Sequence, residues 1–311
     1  MGIKTLYDLC NIKSKPTAYH VGYLLGPRIN AGGRVGKSQY GAELLSSNNS
    51  EMAYKIANDL DNYNKQRQEI EKELLIKVDN EANKYKQEPI LVLSGNNWHE
   101  GIIGIIASRI KDKYNKPVFI ISLDGAEGKG SARSIIGFDI GSAIISAVQS
   151  GILRKGGGHK MAGGFSIEKG RIDDLKNFLT KKFHKIDSRY KESKNLYLDA
   201  VLSSSALNED FFEDINLLSP FGPGNSEPTF VLENIKIVNS SIIADKHIKI
   251  IMYSNSGITI KGIAFNSRGG ILENYLLKKN LKPLHIAGKL TMNEWQGKKD
   301  VEFVIQDIAI N

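Results

Sequence analysis

The chain has 311 residues, 41% of them hydrophobic and 24% charged, which is enough to bury a sizeable core and to fold as more than one domain. No apolar run reaches the length of a membrane-spanning helix, the N-terminus lacks a secretory pattern, and the single cysteine, Cys10, excludes an internal disulfide and fits a reducing compartment. A cytoplasmic chain that makes no use of a membrane is expected.

The net charge of +8 is unevenly spread. Residues 1–50 carry +4, 51–88 carry −2, 89–186 carry +7, 187–228 carry −5 and 229–311 carry +4. Three separate basic blocks fit a nucleic-acid track over several units, and they also fit a solubilising lysine excess.

Residues 1–50 read as the tail of a domain. Tyr19 to Leu25 fits a short helix, and Pro27 with the following glycines is expected to stop it. Arg28, Asn30 and Arg34 would then sit on an irregular segment that can grip a backbone phosphate or sugar. Residues 51–88 form the clearest helix: Ile56, Leu60, Tyr63, Ile70, Leu74, Val78, Ala82 and Tyr85 keep returning to one face, and no Gly or Pro intervenes before Pro89. At this length it would span about 57 Å, enough to connect two domains. Asp59 and Asp61, two apart on a helix, point to different sides and read as solvated rather than as a metal pair.

Residues 89–186 alternate strand and helix, the mark of an α/β layer domain. Strands are expected at 89–93, 117–122 and 164–167, and helices at 101–114, 140–148 and 172–184, with Asp139 as an N-cap. Two glycine-rich stretches frame the middle helix. One is Gly128-Lys129-Gly130-Ser131-Ala132-Arg133-Ser134, the other Gly156-Gly157-Gly158-His159. Read as turns, they would expose backbone N–H groups as anion-binding concavities, with Ser131, Arg133 and His159 adding side-chain donors. Ordinary turns beside a buried helix fit the same strings. Trp98-His99-Glu100-Gly101 stands at a helix entrance, where an acidic residue is favoured for electrostatic reasons alone.

Residues 187–228 form an acidic connector that ends in a rigid run, Ser219-Pro220-Phe221-Gly222-Pro223-Gly224-Asn225-Ser226-Glu227-Pro228. Residues 229–311 show five strand candidates with a helix at 271–279 between the third and fourth, the count and order of an OB-fold β-barrel. Such barrels stack bases on aromatics beside basic side chains, so Tyr253, Trp295, Lys298 and Lys299 are its candidate nucleic-acid contacts; Trp295 fits a core cap equally well.

The triple glycine followed by His resembles the domain that accompanies DHH-type phosphoesterases. Gly26-Pro27-Arg28-Ile29-Asn30-Ala31-Gly32-Gly33-Arg34, Trp98-His99-Glu100-Gly101 and the Pro-Phe-Gly connector narrow the resemblance to RecJ-type single-strand-specific exonucleases. The resemblance implies a DHH-associated α/β domain reached through a long helix and followed by an OB-fold. Residues 1–50 become a DHH remnant, 51–88 the connecting helix, 89–186 the substrate-binding domain, 187–228 the connector and 229–311 the barrel. It implies degradation of single-stranded DNA from the 5′ end in repair and recombination, by hydrolysis on Mn²⁺ or Mg²⁺. Ser131 and Arg133 would hold the phosphate near the scissile bond. Gly157, Gly158 and His159 would meet the same phosphate, with His159 and Arg133 as catalytic candidates, and Arg28, Asn30 and Arg34 would grip a neighbouring one. The family's Asp-His-His string does not occur here, and the six histidines are scattered. The cations are therefore expected in a DHH domain outside this sequence, as in a split gene with a separate DHH polypeptide, or the sequence is a truncated relic. A non-catalytic nucleic-acid-binding scaffold of the DHH family is the alternative.

Overall fold

The computed structural model describes residues 1–13, 16–184, 195–277, 282–295 and 297–310. The chain divides into two compact units, Met1–Ser193 and Lys194–Asn311.

The first unit opens with helices. α1 (Gly2–Leu9), a π-helical stretch (His20–Leu25), α2 (Gly26–Val35) and α3 (Tyr40–Ser46) pack against the first half of α4 (Ser50–Lys84). Leu6, Leu25, Leu44, Ala53, Ile56, Ala57 and Leu60 form their core. Asn49 caps α4 by accepting from the Met52 N–H at 3.0 Å. The second half of α4 buries Leu74, Val78 and Ala82 in a different core, against β1 (Leu91–Asn96) and α5 (Glu100–Tyr114). One uninterrupted helix of 35 residues, about 52 Å long, therefore serves two cores.

Two sequence expectations are corrected in this region. Pro27 does not stop the helix. It sits in the first turn of α2, where the N–H it lacks has no intrahelical partner to lose, so Arg28, Asn30 and Arg34 are helical residues. Asp61 is not solvated either: it is buried and accepts from Arg28 Nε at 2.8 Å, with Lys65 Nζ at 2.9 Å.

The α/β part is a five-stranded sheet in the order β1-β2-β3-β5-β4, with β2 at Val118–Asp124, β3 at Glu127–Arg133, β4 at Lys155–His159 and β5 at Ala162–Glu168. Only the β1–β2 pair is parallel. One face packs on α6 (Ile140–Gln149) and α7 (Ile172–His184) through Phe119, Ile121, Ile140, Ile144, Phe165 and Leu175. Asp139 caps α6, accepting from the Ser142 N–H at 2.9 Å. On the other face α5 and the end of α4 cover β1 and β2.

Both glycine-rich stretches are strands, not turns. Gly128 and Gly130 are glycine because β-carbons there would meet Ile121 Cγ2 at 2.8 Å and the Phe165 ring at 2.1 Å. Gly156 and Gly158 are similarly pressed, against Ile144 Cγ2 at 2.6 Å and Ala162 O at 2.3 Å. Close packing explains these glycines, and the ladder consumes the N–H groups that a turn would have offered, apart from the outer row of the edge strand β4.

In the second unit β6 (Ala200–Leu202) and α8 (Glu209–Asn216) precede a closed barrel of β7 (Phe230–Ile243), β8 (His247–Tyr253), β9 (Thr259–Ala264), β10 (Leu284–Trp295) and β11 (Lys298–Ile310). Closure comes from β10 pairing with β7 and β11 pairing in parallel with β9, around Leu232, Ile250, Met252, Ile286 and Phe303. This is the OB-fold order. The helix between β9 and β10 is shorter than expected, α9 at Glu273–Leu276; residues 278 and 279 of the expected 271–279 helix lie outside the described residues. The Pro-Phe-Gly string folds on itself: Asn225 Nδ2 donates to Leu218 O at 2.8 Å and to Pro220 O at 3.0 Å.

Candidate nucleic-acid interface

Strand register gathers the candidate residues of the α/β part onto one sheet face. Along β3, Lys129, Ser131 and Arg133 alternate with buried Gly128, Gly130 and Ala132. Across the sheet Arg133 is level with Ala162 and His159, Ser131 with Gly164 and Gly157, and Lys129 with Ser166 and Lys155. Residues in register share a face, so three rows of side chains lie on the side opposite α6 and α7. Gly158, in contrast, alternates to the packed side and serves the hairpin.

The middle row is bare. A β-carbon on Gly157 would meet nothing within 4 Å, and one on Gly164 only Gly130 O at 3.8 Å. Neither residue has a positive φ. Packing and backbone conformation leave these two glycines unexplained, whereas a polymer lying close against the sheet would require them.

Gly104 of α5 comes down on β3, where an added β-carbon would lie 3.0 Å from Ser131 Oγ and 3.2 Å from Arg133 Nη2. Beside it is a cavity of about 290 Å³ lined by Arg34, Gly104, Ser108, Arg109, Asp112 and Arg133. Arg133 donates from Nη1 to Ala132 O at 2.8 Å and to Ser131 Oγ at 3.3 Å, with no carboxylate partner among the described residues. Burial, and then the nearby positive charge of Arg34, hold its pKa below the usual arginine value. Arg34 donates to Gly101 O at 3.0 Å. Arg67 on α4 is also pulled down, by burial first, with Arg34 and Arg109 acting against the pull of Glu71. Glu71 is buried and accepts from Arg67 Nη1 at 2.6 Å and Arg109 Nε at 3.3 Å. Four arginines thus share a small region with few carboxylates, an arrangement suited to an incoming anion.

Arg28 and Arg34 part company on α2. Six residues apart, they occupy different helix faces, Arg28 toward Asp61 of α4 and Arg34 toward α5. Arg28 also donates to Leu24 O at 2.8 Å, so its guanidinium is engaged inside the fold. Asn30 is exposed on α2. His159 is exposed at the end of β4, and its Nδ1 accepts from the Met161 N–H at 3.3 Å. The contributions of Arg67, Ser108 and Arg109 were not visible in sequence, because they come from two helices and meet only in the fold.

On the barrel, His247, Lys249, Ile251 and Tyr253 of β8 face outward, opposite the fully buried Ile248, Ile250 and Met252. Tyr253 is 45% exposed, and Phe265, just past β9, is 52% exposed with its ring edge-on to His247 at 5.2 Å. The half-buried His247 and the exposed Phe265, at the other end of β8 from Tyr253, are outward aromatics that sequence reading missed. Lys299 is held by Glu209 at 3.2 Å. The side chains of Trp295 and Lys298 lie outside the described residues.

Among the described residues no group of three or more His, Cys, Asp or Glu side chains could hold a metal ion, and no helix is long and apolar enough to cross a membrane. Residues 87–185 match the DHHA1 domain and residues 198–307 the RecJ OB domain. The single-stranded-DNA-specific exonuclease RecJ of Haemophilus influenzae is 30% identical over 325 residues, covering 99% of this chain and 55% of that protein. RecJ of Escherichia coli is 30% identical over 323 residues, covering 99% and 54%. The crystal structure of RecJ from Thermus thermophilus in complex with Mn²⁺ superposes with a TM-score of 0.83 at 25% identity, covering all of this chain and 44% of that one. The chain spans about half the length of these relatives, and across that span it belongs to the RecJ family.

Proposed function

We propose that this chain is the substrate-gripping part of a RecJ-type exonuclease that degrades single-stranded DNA from the 5′ end in repair and recombination, working in the cytoplasm. The observation that carries this reading is the pair Arg34 and Arg133, two neighbouring guanidiniums with no carboxylate ion pair among the described residues, beside Ser131 and a bare glycine row. Ser131 and Arg133 hold the phosphate next to the scissile bond. His159, in register with Arg133, reaches the same strand and stabilises charge developing on it. Arg34 adds to the same grip, while Arg28 keeps α2 in place through Asp61. The exposed aromatics of the barrel stack bases of the incoming strand. The described residues do not suit a pair of divalent cations, so Mn²⁺ or Mg²⁺ belongs to a DHH part, whether that part is joined to this chain or is a separate polypeptide.

The test uses the purified chain with a 5′-phosphorylated single strand. It should bind without degrading the strand in Mn²⁺, and adding the DHH portion of a relative should restore degradation. Arg133→Ala should weaken binding of the 5′-phosphate by tenfold or more, the scale of a charge-assisted hydrogen bond of about 1.5–3 kcal/mol. Degradation by the chain alone, from a nuclease-free preparation, or unaltered binding by Arg133→Ala would overturn the proposal. The lack of a metal-holding group among the described residues also suits a non-catalytic scaffold. Co-purification with repair factors that bring no DHH part would favour that second reading.

A further inference from the structure

We propose that Lys129, Lys155 and Ser166 form a second phosphate subsite, so that this sheet face grips two consecutive phosphates of one strand. The proposal rests on the reading of Arg133 and Ser131 as a phosphate site.

A cavity of about 470 Å³, distinct from the arginine-lined one, is lined by Glu100, Lys129, Ser131, Lys155, Gly164 and Ser166. Lys129, Ser166 and Lys155 stand level with one another on β3, β5 and β4. Arg133 leans back along β3 to Ser131 Oγ, which draws the first phosphate toward the serine row. The lysine row is one step further, and two strand residues advance about 7 Å, the reach of a single nucleotide. Gly164 lies between the two positions and leaves the floor free of side chains.

The chemistry of the row is that of an anion site. The hydroxyl of Ser166 is shut off from solvent and has no hydrogen-bond partner among the described residues, a cost that a ligand oxygen would relieve. Lys155 is exposed and has no ion pair among the described residues. Lys129 is bound to the Glu100 carboxylate at 2.8 Å, so in the free protein an internal anion already occupies one of its donors. Ammonium groups on flexible stems suit a phosphodiester whose position shifts from one nucleotide to the next, whereas the fixed guanidinium fork of Arg133 suits a terminal phosphate.

The experiment compares thymidine 5′-monophosphate with 5′-phosphorylated dithymidylate by equilibrium titration of the full chain. The wild-type protein should bind the dinucleotide about tenfold more tightly. Lys155→Ala should remove most of that ratio and leave the monophosphate affinity unchanged, Ser166→Ala should remove part of it, and Lys155→Glu should bring it below one. A dinucleotide whose internal linkage is a neutral methylphosphonate should lose the same advantage on the wild-type protein, with no further loss on Lys155→Ala. Circular dichroism confirms that each variant is folded. An unchanged ratio in folded Lys155→Ala and Lys155→Glu, or equal affinity for the methylphosphonate and phosphodiester dinucleotides, overturns the second subsite alone. A monophosphate that fails to bind, or that binds regardless of Arg133→Ala, overturns the first site and this one with it.

Discussion

Four of the glycines around the sheet look alike in sequence and do different work. Gly156→Ala would drive a β-carbon to 2.6 Å from Ile144 Cγ2 and 2.9 Å from Phe165 Cβ, so it should cost about 1–3 kcal/mol of stability. Gly158→Ala meets backbone, Ala162 O at 2.3 Å and Gly163 Cα at 2.5 Å, and should cost at least as much because a carbonyl cannot rotate away. Gly157→Ala meets nothing within 4 Å and should stay within about 0.5 kcal/mol of wild type. Binding should follow a different order. If a DNA backbone lies on the bare row that Gly157 shares with Gly164, the methyl of Gly157→Ala lifts it off the sheet and weakens a 5′-phosphorylated strand by about fivefold, near 1 kcal/mol. Urea unfolding and strand titration of the same three variants separate the two roles. Gly157→Ala with full affinity would show that the row is bare for a reason other than DNA.

At the scale of elements, α2 is held to α4 by a charge that does not reach water easily. Burial alone would raise the Asp61 carboxyl, but hydrogen bonds from Lys65 and Arg28, and the charges of both, outweigh it and keep the group below its ordinary value of 3.8. A depressed carboxylate contributes its stability above the unfolded value and loses it as pH falls through the folded one. Asp61→Asn should therefore destabilise the first unit by about 1–3 kcal/mol at neutral pH, less than a fully buried pair would lose because Lys65 stays in solvent. The gap between variant and wild type should close as pH drops below about 3.8, a convergence that urea midpoints read by helical circular dichroism would show. A constant gap across acid pH would mean that Arg28 and Asp61 act through packing alone. The same helices show what sequence could and could not tell. The periodicity of Leu60, Leu74, Val78 and Ala82 identified α4, because burial of one face needs nothing beyond spacing. The count and order of the strand candidates after residue 229 likewise identified the barrel. Pro27 misled because its effect depends on whether it stands in a first turn or an interior; the short helix before it was expected at 19–25, but its π-helical form was not visible. The glycine strands misled because glycine has low strand propensity, and only the bulk of Phe165 on the neighbouring strand and of Ile144 on α6 makes it necessary. Arg67 and Arg109 were invisible as site residues because 42 positions separate them, and Glu71 joins them only through the packing of α5 on α4.

For the molecule as a whole, the proposed hold on DNA would be of two kinds, one on each compact unit, and salt can tell them apart. The sheet face of the first unit offers charge in Arg34, Arg133 and Lys155, with Lys129 shared with Glu100. The outer face of the barrel offers aromatic surface, Tyr253 and Phe265, while its lysines are largely answered by carboxylates, Lys261 by Asp300 at 2.6 Å and Lys249 by Glu302 at 3.8 Å. A phosphate bound by a free cation releases counterions and makes log K fall with log salt by about 0.7 per contact on a single strand. A base stacked on a ring releases none, yet is worth about 1–3 kcal/mol. For a strand long enough to reach both faces, Arg133→Ala should flatten the salt dependence by about 0.7 while also weakening binding. Tyr253→Ala and Phe265→Ala should weaken binding by tenfold or so and leave the slope where it was. Titrations of a 5′-phosphorylated oligothymidylate over a salt series would measure both quantities at once. If the aromatic variants flattened the slope and Arg133→Ala did not, the division of labour would run the other way. The barrel would then be gripping phosphates, and the arginines of the first unit would owe their crowding to the fold rather than to DNA.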